Sequence, residues 1–597
     1  MSVESEENSD AQEHRYRRGR RVALSAAALL GAGVLAFGVL APPEVCPQPT
    51  AASLDESAGD AVQWFVRNQQ PDGTWLYEYN TNDDTDMGGY NLVRHAGAIM
   101  GLYQAAADGQ PDALESADRG MAWARDHLVE HDDWTVLADN GRAPTGGAAL
   151  LAAGLVERRE LTGDTTNDEL LIRLGRFMAA QTEPDGAVVA QYSTDRFEPE
   201  ADSRSKYYTG EAYWALARLH RMFPDEDFGE VADRIGNYLA TARDDVEDYW
   251  PPIPDHWVAY GLAETVQFPE RDPEQPLTTA ELAYARSQAA LFGGQVRWVA
   301  QQAGPWGRLV RGNHIVRGGG YGVVGEALTG LWRVAVADDR MADLRQPIGD
   351  RAECIAGLAQ DVQQSEPGDP RADGAWFVRG VTRMDDQQHA TSALLRTKVI
   401  VDSRSLAGSD DAPSGWLWAV ALIATLSPLF VVLAMPRRES SRERAWLAAA
   451  GGAIGSVVIL AVALFSGPLL DLFDVSRAAA RVAIGIVAAG AGLVRMFRRL
   501  PSAQPAPPGL SAAIVPVAIP YVATPALILL GLSAGADLGV AFVALAMLVA
   551  VAMLVAGATW LNANGRTGQL MGWTARLFGA IAVAASVLLV IDGVLDV

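Results

Sequence analysis

Seven apolar runs, each long enough to cross a bilayer, constrain this chain more than any other feature of its sequence. In hydrocarbon every backbone N–H and C=O needs a partner within the protein, so such runs fold as helices. The first, VALSAAALLGAGVLAFGVLA, covers 22–41. At about 1.5 Å rise per residue it matches a hydrocarbon core of roughly 30 Å. A cleaved leader has the same basic-then-apolar order, but its apolar region is usually about 7–15 residues long and ends at small residues. This run is longer and ends in APPEVC, which predicts a retained anchor. Six more runs follow Ser414, at about 416–435, 445–466, 478–494, 511–532, 537–558 and 573–591. Pro516, Pro520 and Pro525 fall in the fifth span of the chain and predict a kinked helix there, with a discontinuous helix as the alternative. The stretch PSAQPAPPG, 501–509, reads as a linker.

Arginines orient the spans. Arg15, Arg17, Arg18, Arg20 and Arg21 precede the first, Arg437, Arg438, Arg442 and Arg444 follow the second, and Arg495, Arg498 and Arg499 follow the fourth. Arg566 and Arg576 lie between the sixth and seventh. The opposite loops carry Asp471, Asp474, Asp537, Asp592 and Asp596, with Arg477 and Arg481 against the trend. The expected topology is a cytoplasmic tail (1–21), a transmembrane helix (22–41), an extracytoplasmic domain (42–414) and a six-helix membrane domain (415–597). The C-terminal spans carry essentially no charge near their midpoints, so none announces an ion path.

A net charge of −24 disfavours nucleic acid as a partner, because the basic stripe that neutralises phosphates is missing. Both cysteines, Cys46 and Cys354, belong to the outer segment. An oxidising compartment makes a disulfide between them a candidate, with two buried free thiols as the alternative.

Between 50 and 405 the apolar residues recur with helical period and are punctuated by Gly, Pro and Asp, with almost no alternating pattern. Twelve helices are expected, at about 53–69, 90–107, 111–130, 145–162, 166–182, 208–223, 227–243, 255–267, 279–302, 321–337, 343–364 and 386–400. Every second one opens alike: RHAGAIMGL at Arg94, TGGAALLAAGL at Thr145, TGEAYWALARL at Thr209, DHWVAYGLAE at Asp255, VGEALTGLWRV at Val324 and QHATSALLRT at Gln388. These are apolar nearly all round, as buried helices are, whereas the others are amphipathic. An inner ring of six inside an outer ring of six is an (α/α)6 toroid, so the expected fold class is all-α, a toroid plus seven transmembrane helices. An open helical solenoid is the rival architecture.

A second repeat sits in the loops: QQPDGTW at Gln69, QTEPDGAV at Gln181, QQAGPWG at Gln301 and ADGAWF at Ala372. It resembles the Gln-and-Trp repeats of terpenoid cyclase and prenyltransferase toroids, while YYTGEAYWALARL is similar to helices of six-hairpin glycosidase-like toroids. The resemblance implies the fold over roughly 350 residues and says less about activity. TNDDTDM, from Thr81, resembles the DxDDTA motif of squalene-hopene type cyclases. It departs at the first aspartate and at Asp86, and the polar surroundings fit poorly with alkene protonation, which needs a dry pocket.

In such a ring the inner-helix N-termini gather at one mouth of a central cavity. Candidate catalytic carboxylates there are Asp84, Asp86, Glu211, Asp255, Glu326 and Asp386, since glycosidic cleavage needs one acid and one base or nucleophile facing a shared space. Candidate binding residues are Trp75, Tyr90, Asn91, Arg94, His95, Tyr207, Tyr208, His256, Trp257, Tyr321, Trp376 and His389. Asn313, His314, Arg317, Asp385 and Gln388 lie at the same starts. Three of the eight histidines, His95, His256 and His389, share one register of an inner helix. In the toroid the fourth inner helix lies opposite the first and sixth, so these three need not meet. No cofactor motif occurs, and no resident metal is expected. The expected function is binding or processing of a cell-envelope glycan, free or lipid-linked, by carboxylate acid–base chemistry. A terpenoid-cyclase-like enzyme on a lipid and a non-catalytic envelope scaffold are the alternatives.

Overall fold

The computed structural model describes residues 27–28, 31–32, 34–312, 316–365, 368–404, 415–435, 440–473, 475–497, 509–560 and 565–595. They form two compact units. One comprises Cys46–Ala300 and His314–Asp410, the other Met1–Val45, Gln301–Asn313 and Asp411–Asp596.

The first unit is built on twelve helices: α1 Ala51–Arg67, α2 Leu92–Ala107, α3 Ala113–Arg125, α4 Thr145–Thr162, α5 Asp168–Ala180, α6 Tyr208–Met222, α7 Phe228–Thr241, α8 His256–Thr265, α9 Thr279–Ala303, α10 Gly318–Ala337, α11 Arg345–Val362 and α12 Met384–Arg404. The even-numbered helices touch in the closed cycle α2–α4–α6–α8–α10–α12–α2, and odd-numbered helices pack outside them. The ring therefore closes, as a toroid does and a solenoid does not. In α4 the residues from Thr145 to Glu157 are all buried, whereas outer α7 buries only one face. Small residues set the spacing of the ring. A Cβ on Gly154 would lie 2.9 Å from Met100 Cα, and one on Gly322 would lie 2.2 Å from the His389 carbonyl carbon. Cys46 is bonded to Cys354, which ties the start of the unit to α11.

Three of the four repeated loops share one device. Gly73, Gly186 and Gly374 have φ of 95°, 98° and 80°, and a Cβ on each would lie 2.4, 2.3 and 2.3 Å from a carbonyl oxygen of an outer helix, at Arg119, Arg234 and Asp60. Both the left-handed backbone and the close approach require glycine. Gly186→Ala is therefore expected to destabilise the chain by about 2–4 kcal/mol, read as a lowered denaturation midpoint in detergent. The fourth loop departs from the pattern. Around Gln301 the chain is helical through Ala303 and again over Pro305–Arg311, so QQAGPWG forms no such turn.

Strands are few and short among the described residues, in keeping with the expected all-α class. Short strands form three small sheets, among them Glu78–Asn80 between Thr85–Asp86 and Val381–Arg383, and the hairpin Leu128–His131 with Trp134–Leu137. Pieces of two to four residues are too short to display a two-residue period. The helix expected at 111–130 consequently ends at Arg125.

In the second unit, five helices among the described residues are long and apolar enough to cross a membrane: Gly415–Val432, Ser441–Leu464, Arg477–Phe497, Pro525–Thr559 and Arg576–Val594. Leu510–Ile519 is a shorter apolar helix. Much of the first expected span, at 22–26, 29–30 and 33, lies outside the described residues, and Val34–Leu40 is helical. The proline-bearing fifth span is discontinuous, not simply kinked. Helical geometry lapses at Val515 and Ile519, each followed by a proline that disfavours helical dihedrals in its predecessor. The chain leaves the helix at Ala523 and resumes at Pro525, and the next helix breaks again at Gly539, with φ of 80°. Gly451 and Gly455 of Ser441–Leu464 let Val517 and Val522 approach, in the small-residue packing usual between membrane helices. Arg481 is not a loop cation. It is buried, 3.0 Å from Asp537 and 2.9 Å from Asp592, which explains how it departs from the charge asymmetry of the loops.

Candidate active site

The N-terminal ends of the inner helices surround a cavity of about 590 Å³ within the toroid. Each start positions side chains there because the first turn of a helix projects from the ring end. Asn91 caps α2 by accepting from the Arg94 N–H at 3.0 Å, and Arg94 follows it into the wall. Tyr207, Tyr208 and Glu211 come from α6, His256 and Trp257 from α8, and Asp385, Asp386, Gln388 and His389 from α12. The indole of Trp257 is held by stacking on Trp214, with centroids 5.4 Å apart and planes 18° from parallel.

The closest assembly of proton-carrying groups is His256, Glu326 and His389. Their ligating atoms all lie within 4.8 Å of one another. His389 Nδ1 is 2.7 Å from Glu326 Oε2, and His256 Nε2 is 3.7 Å from the same oxygen. The two imidazole centroids are 5.2 Å apart. Neither nitrogen of His256 has a hydrogen-bond partner among the described residues, although the ring is only 3% exposed. Burial, and then repulsion by His389, push its pKa well below the usual histidine value, so the ring is neutral. Burial also opposes charge on His389, but the adjacent Glu326 carboxylate outweighs it and raises the pKa. Burial raises that of Glu326. The Glu326–His389 pair thus keeps a proton while the facing His256 lacks one, which is an arrangement suited to giving and taking protons in one cavity. The same three groups, two imidazoles and a carboxylate, could instead hold a divalent cation.

Glu211 has its carboxyl buried, with Oε2 lacking a hydrogen-bond partner among the described residues. Burial, followed by the negative charge of Asp255, pushes its pKa up to about 8. It is a neutral acid near pH 7. Because the folded value exceeds the unfolded one of 4.5, Glu211 contributes stability below the unfolded value and loses it as pH rises through about 8. Denaturation midpoints are expected to fall between pH 5 and 9, with Glu211→Gln flattening roughly 3–5 kcal/mol of that dependence.

Asp255 is placed beside the site but engaged elsewhere. Its carboxylate accepts from Arg243 Nη1 at 2.6 Å and from the Trp257 N–H at 3.1 Å, and both charged residues are fully buried. It acts as a helix cap and buried counter-ion that holds Trp257 at the wall. Asp386 does reach the cavity, where Oδ1 accepts from Gly319 N at 2.9 Å and Oδ2 lies 3.3 Å from Arg317 Nε. Burial, then the neighbouring Asp385, raise its pKa. Arg94 and Arg383 flank Asp385 at 3.1 and 3.3 Å.

Several expected residues lie outside the cavity. Asp84 and Asp86 sit on the exposed Thr85–Asp86 hairpin, where Asp84 accepts from Tyr79 and Arg371 and Asp86 accepts from Gly88 N. Asp and Asn in this segment satisfy a turn. Trp75 and Trp376 are 2% and 1% exposed and pack over Gly120 and Gly318, so they fill gaps between helices and have no face to offer a ligand. His95 is fully buried between Tyr90 and the Gly120 carbonyl, its pKa lowered to about 4 chiefly by burial. Tyr90 also accepts from Trp75 N at 3.1 Å. Of the three histidines in register, the fourth and sixth inner helices bring theirs together and the first does not. Tyr321 is buried and absent from the lining. Asn313 and His314 lie outside the described residues. Gln295 and Arg383, which line the cavity, and Arg243, which supports it, carried no sequence signal because none belongs to a repeated helix opening.

Residues 415–597 match the model of the family described as MarC family integral membrane protein. No curated protein matches the chain. Among solved structures, the chain is similar to cellobiose 2-epimerase from Spirochaeta thermophila DSM 6192, at 16% identity and TM-score 0.42, covering 57% of this chain and 93% of that one. It is similar to the GH76A alpha-1,6-mannanase of Salegentibacter sp. HEL1_6, at 14% identity and TM-score 0.40, covering 58% and 99%. An unsaturated glucuronyl hydrolase specific for heparin aligns at 13% identity and TM-score 0.44, covering 58% and 98%.

Proposed function

We propose that this is a membrane-anchored, extracytoplasmic toroid that processes a cell-envelope glycan by acid–base proton transfer, with its N-terminus in the cytoplasm. The observation that carries the reading is the neutral His256, without a hydrogen-bond partner among the described residues, set 3.7 Å from the proton-holding Glu326–His389 pair at the wall of a cavity with aromatic and hydrogen-bonding sides. Tyr207 and Tyr208 offer ring faces for sugars, Trp257 lines the wall beside them, and Asn91, Gln388 and the arginines offer donors to hydroxyl groups. At a reducing sugar, His256 would take the proton from the carbon beside the carbonyl while the Glu326–His389 pair protonates the carbonyl oxygen. Once the enediol has turned its other face to His256, return of the proton to the same carbon, with the former carbonyl oxygen giving its proton back to the Glu326–His389 pair, completes an epimerisation. Return to the former carbonyl carbon, with the neighbouring hydroxyl giving its proton to the pair, completes an isomerisation.

Reducing oligosaccharides incubated with the full chain in D2O test this. Deuterium is expected at the carbon next to the carbonyl, and absence of both exchange and new reducing ends over a panel of envelope-derived sugars would remove the reading. Appearance of new reducing ends without exchange would favour hydrolysis, for which Glu211 is the available neutral acid. The arrangement of His256, Glu326 and His389 also supports a second reading, in which they bind a cation. Activity that survives exhaustive chelation assigns the imidazoles to proton transfer, whereas loss restored by one divalent metal assigns them as ligands.

A further inference from the structure

At the C-terminal ends of the inner helices the toroid holds a separate cavity of about 370 Å³. Four guanidiniums line it, those of Arg218, Arg221, Arg333 and Arg396. They face three carboxylates. Glu157 pairs with Arg218 at 2.8 Å and Arg396 at 2.9 Å, Glu160 with Arg218 at 2.5 Å, and Glu264 with Arg333 at 3.0 Å and with Arg221. One positive charge is left in excess.

A purely structural ion cluster is expected to be filled and internally satisfied, because unmet donors in a protein interior are costly. This one borders open space. Arg221, Arg333 and Arg396 have 35%, 36% and 36% of their side chains exposed, and among the described residues each places one terminal nitrogen on a carboxylate. Gln104 gives the independent sign of a missing ligand. Its Oε1 accepts from Ser392 at 2.9 Å, whereas its Nε2, on a side chain of a residue only 4% exposed, lacks a partner among the described residues. Trp332 supplies a ring in the same wall, and Arg218 lies 5.9 Å over the buried ring of Trp214. Guanidinium forks match carboxylate and phosphate oxygens in pairs, and indoles pack on the apolar faces of sugars.

We propose that this second cavity binds an acidic sugar, a ring carrying a carboxylate or a phosphate, with Arg221, Arg333 and Arg396 on the oxyanion, Gln104 on a hydroxyl and Trp332 against the ring. The site is distinct from the imidazole cavity and stands whether or not that cavity is catalytic. Trp214 forms part of its wall and stacks on Trp257 of the other, so one indole pair borders both.

Calorimetric titration of the full chain in detergent with glucuronate, glucose 6-phosphate, glucose and inorganic phosphate tests the proposal. Glucuronate or glucose 6-phosphate is expected to bind and glucose is not, with the preferred acid identifying its source as uronate or phosphate. Arg333→Gln and Arg221→Gln are each expected to weaken binding by at least about tenfold, the loss of a charge-assisted hydrogen bond. Arg94→Gln, at the other mouth, is expected to leave it unchanged. Should the arginine variants fail to fold, Gln104→Leu must still weaken binding, and the ligand-induced change in indole fluorescence must shrink in Trp332→Phe. No binding of either acid at millimolar concentration, binding lost in Arg94→Gln but kept in the other variants, or phosphate binding as tightly as glucose 6-phosphate would overturn it.

Discussion

The His256→Ala chain is expected to lose turnover by about 10²–10⁴ while binding oligosaccharide within a few-fold of the unaltered chain, because removing the proposed base costs on that order and leaves the aromatic and hydrogen-bonding walls in place. The comparison of kcat with KM reads this directly. If kcat and KM change together by a small factor, His256 packs the ring and does nothing more. Glu326→Gln tests the other half of the pair. The amide keeps the volume and a hydrogen bond to His389 but removes the carboxylate that raises its pKa. The alkaline limb of the pH–rate profile is expected to shift downward, since His389 then gives up its proton at lower pH, and the optimum should narrow. A structural glutamate would lower stability without moving that limb.

The second large effect concerns the bond between Cys46 and Cys354, separated by 308 residues. A crosslink closing so long a loop restrains the unfolded chain strongly, and Cys354→Ser is expected to cost about 2–5 kcal/mol. Pro47 lies directly on α11, where a Cβ on Gly357 would come within 2.7 Å of its carbonyl oxygen, so the bond secures a segment already packed in place. Urea midpoints of the toroid's transition with and without reductant measure it. Coincident transitions would show that packing of the Cys46–Pro47 segment alone suffices.

The sequence by itself determined the membrane runs, the twelve helices and their alternation of buried and amphipathic character, because each rests on local periodicity that needs no knowledge of the partner. Six similar openings even announced that Glu211, His256, Asp386 and His389 would share one end of the ring. The left-handed glycines of the repeated loops were legible as turns for the same reason. What no local pattern carries is which way a side chain turns once it arrives. Asp255 and Glu211 open neighbouring inner helices and looked alike, yet Arg243 captures the first, and the second is left buried without a counter-ion. Trp75 and Trp257 looked equally fit to stack on sugar, but a glycine on an outer helix received one of them. Asp84 and Asp86 promised chemistry and became turn residues. In the membrane, the meeting of Arg481 with Asp537 and Asp592 joins three helices far apart in the chain. Tertiary structure decided these outcomes because desolvation, ion pairing and close packing depend on neighbours from other elements of the chain, and those neighbours are in place only once the helices have assembled.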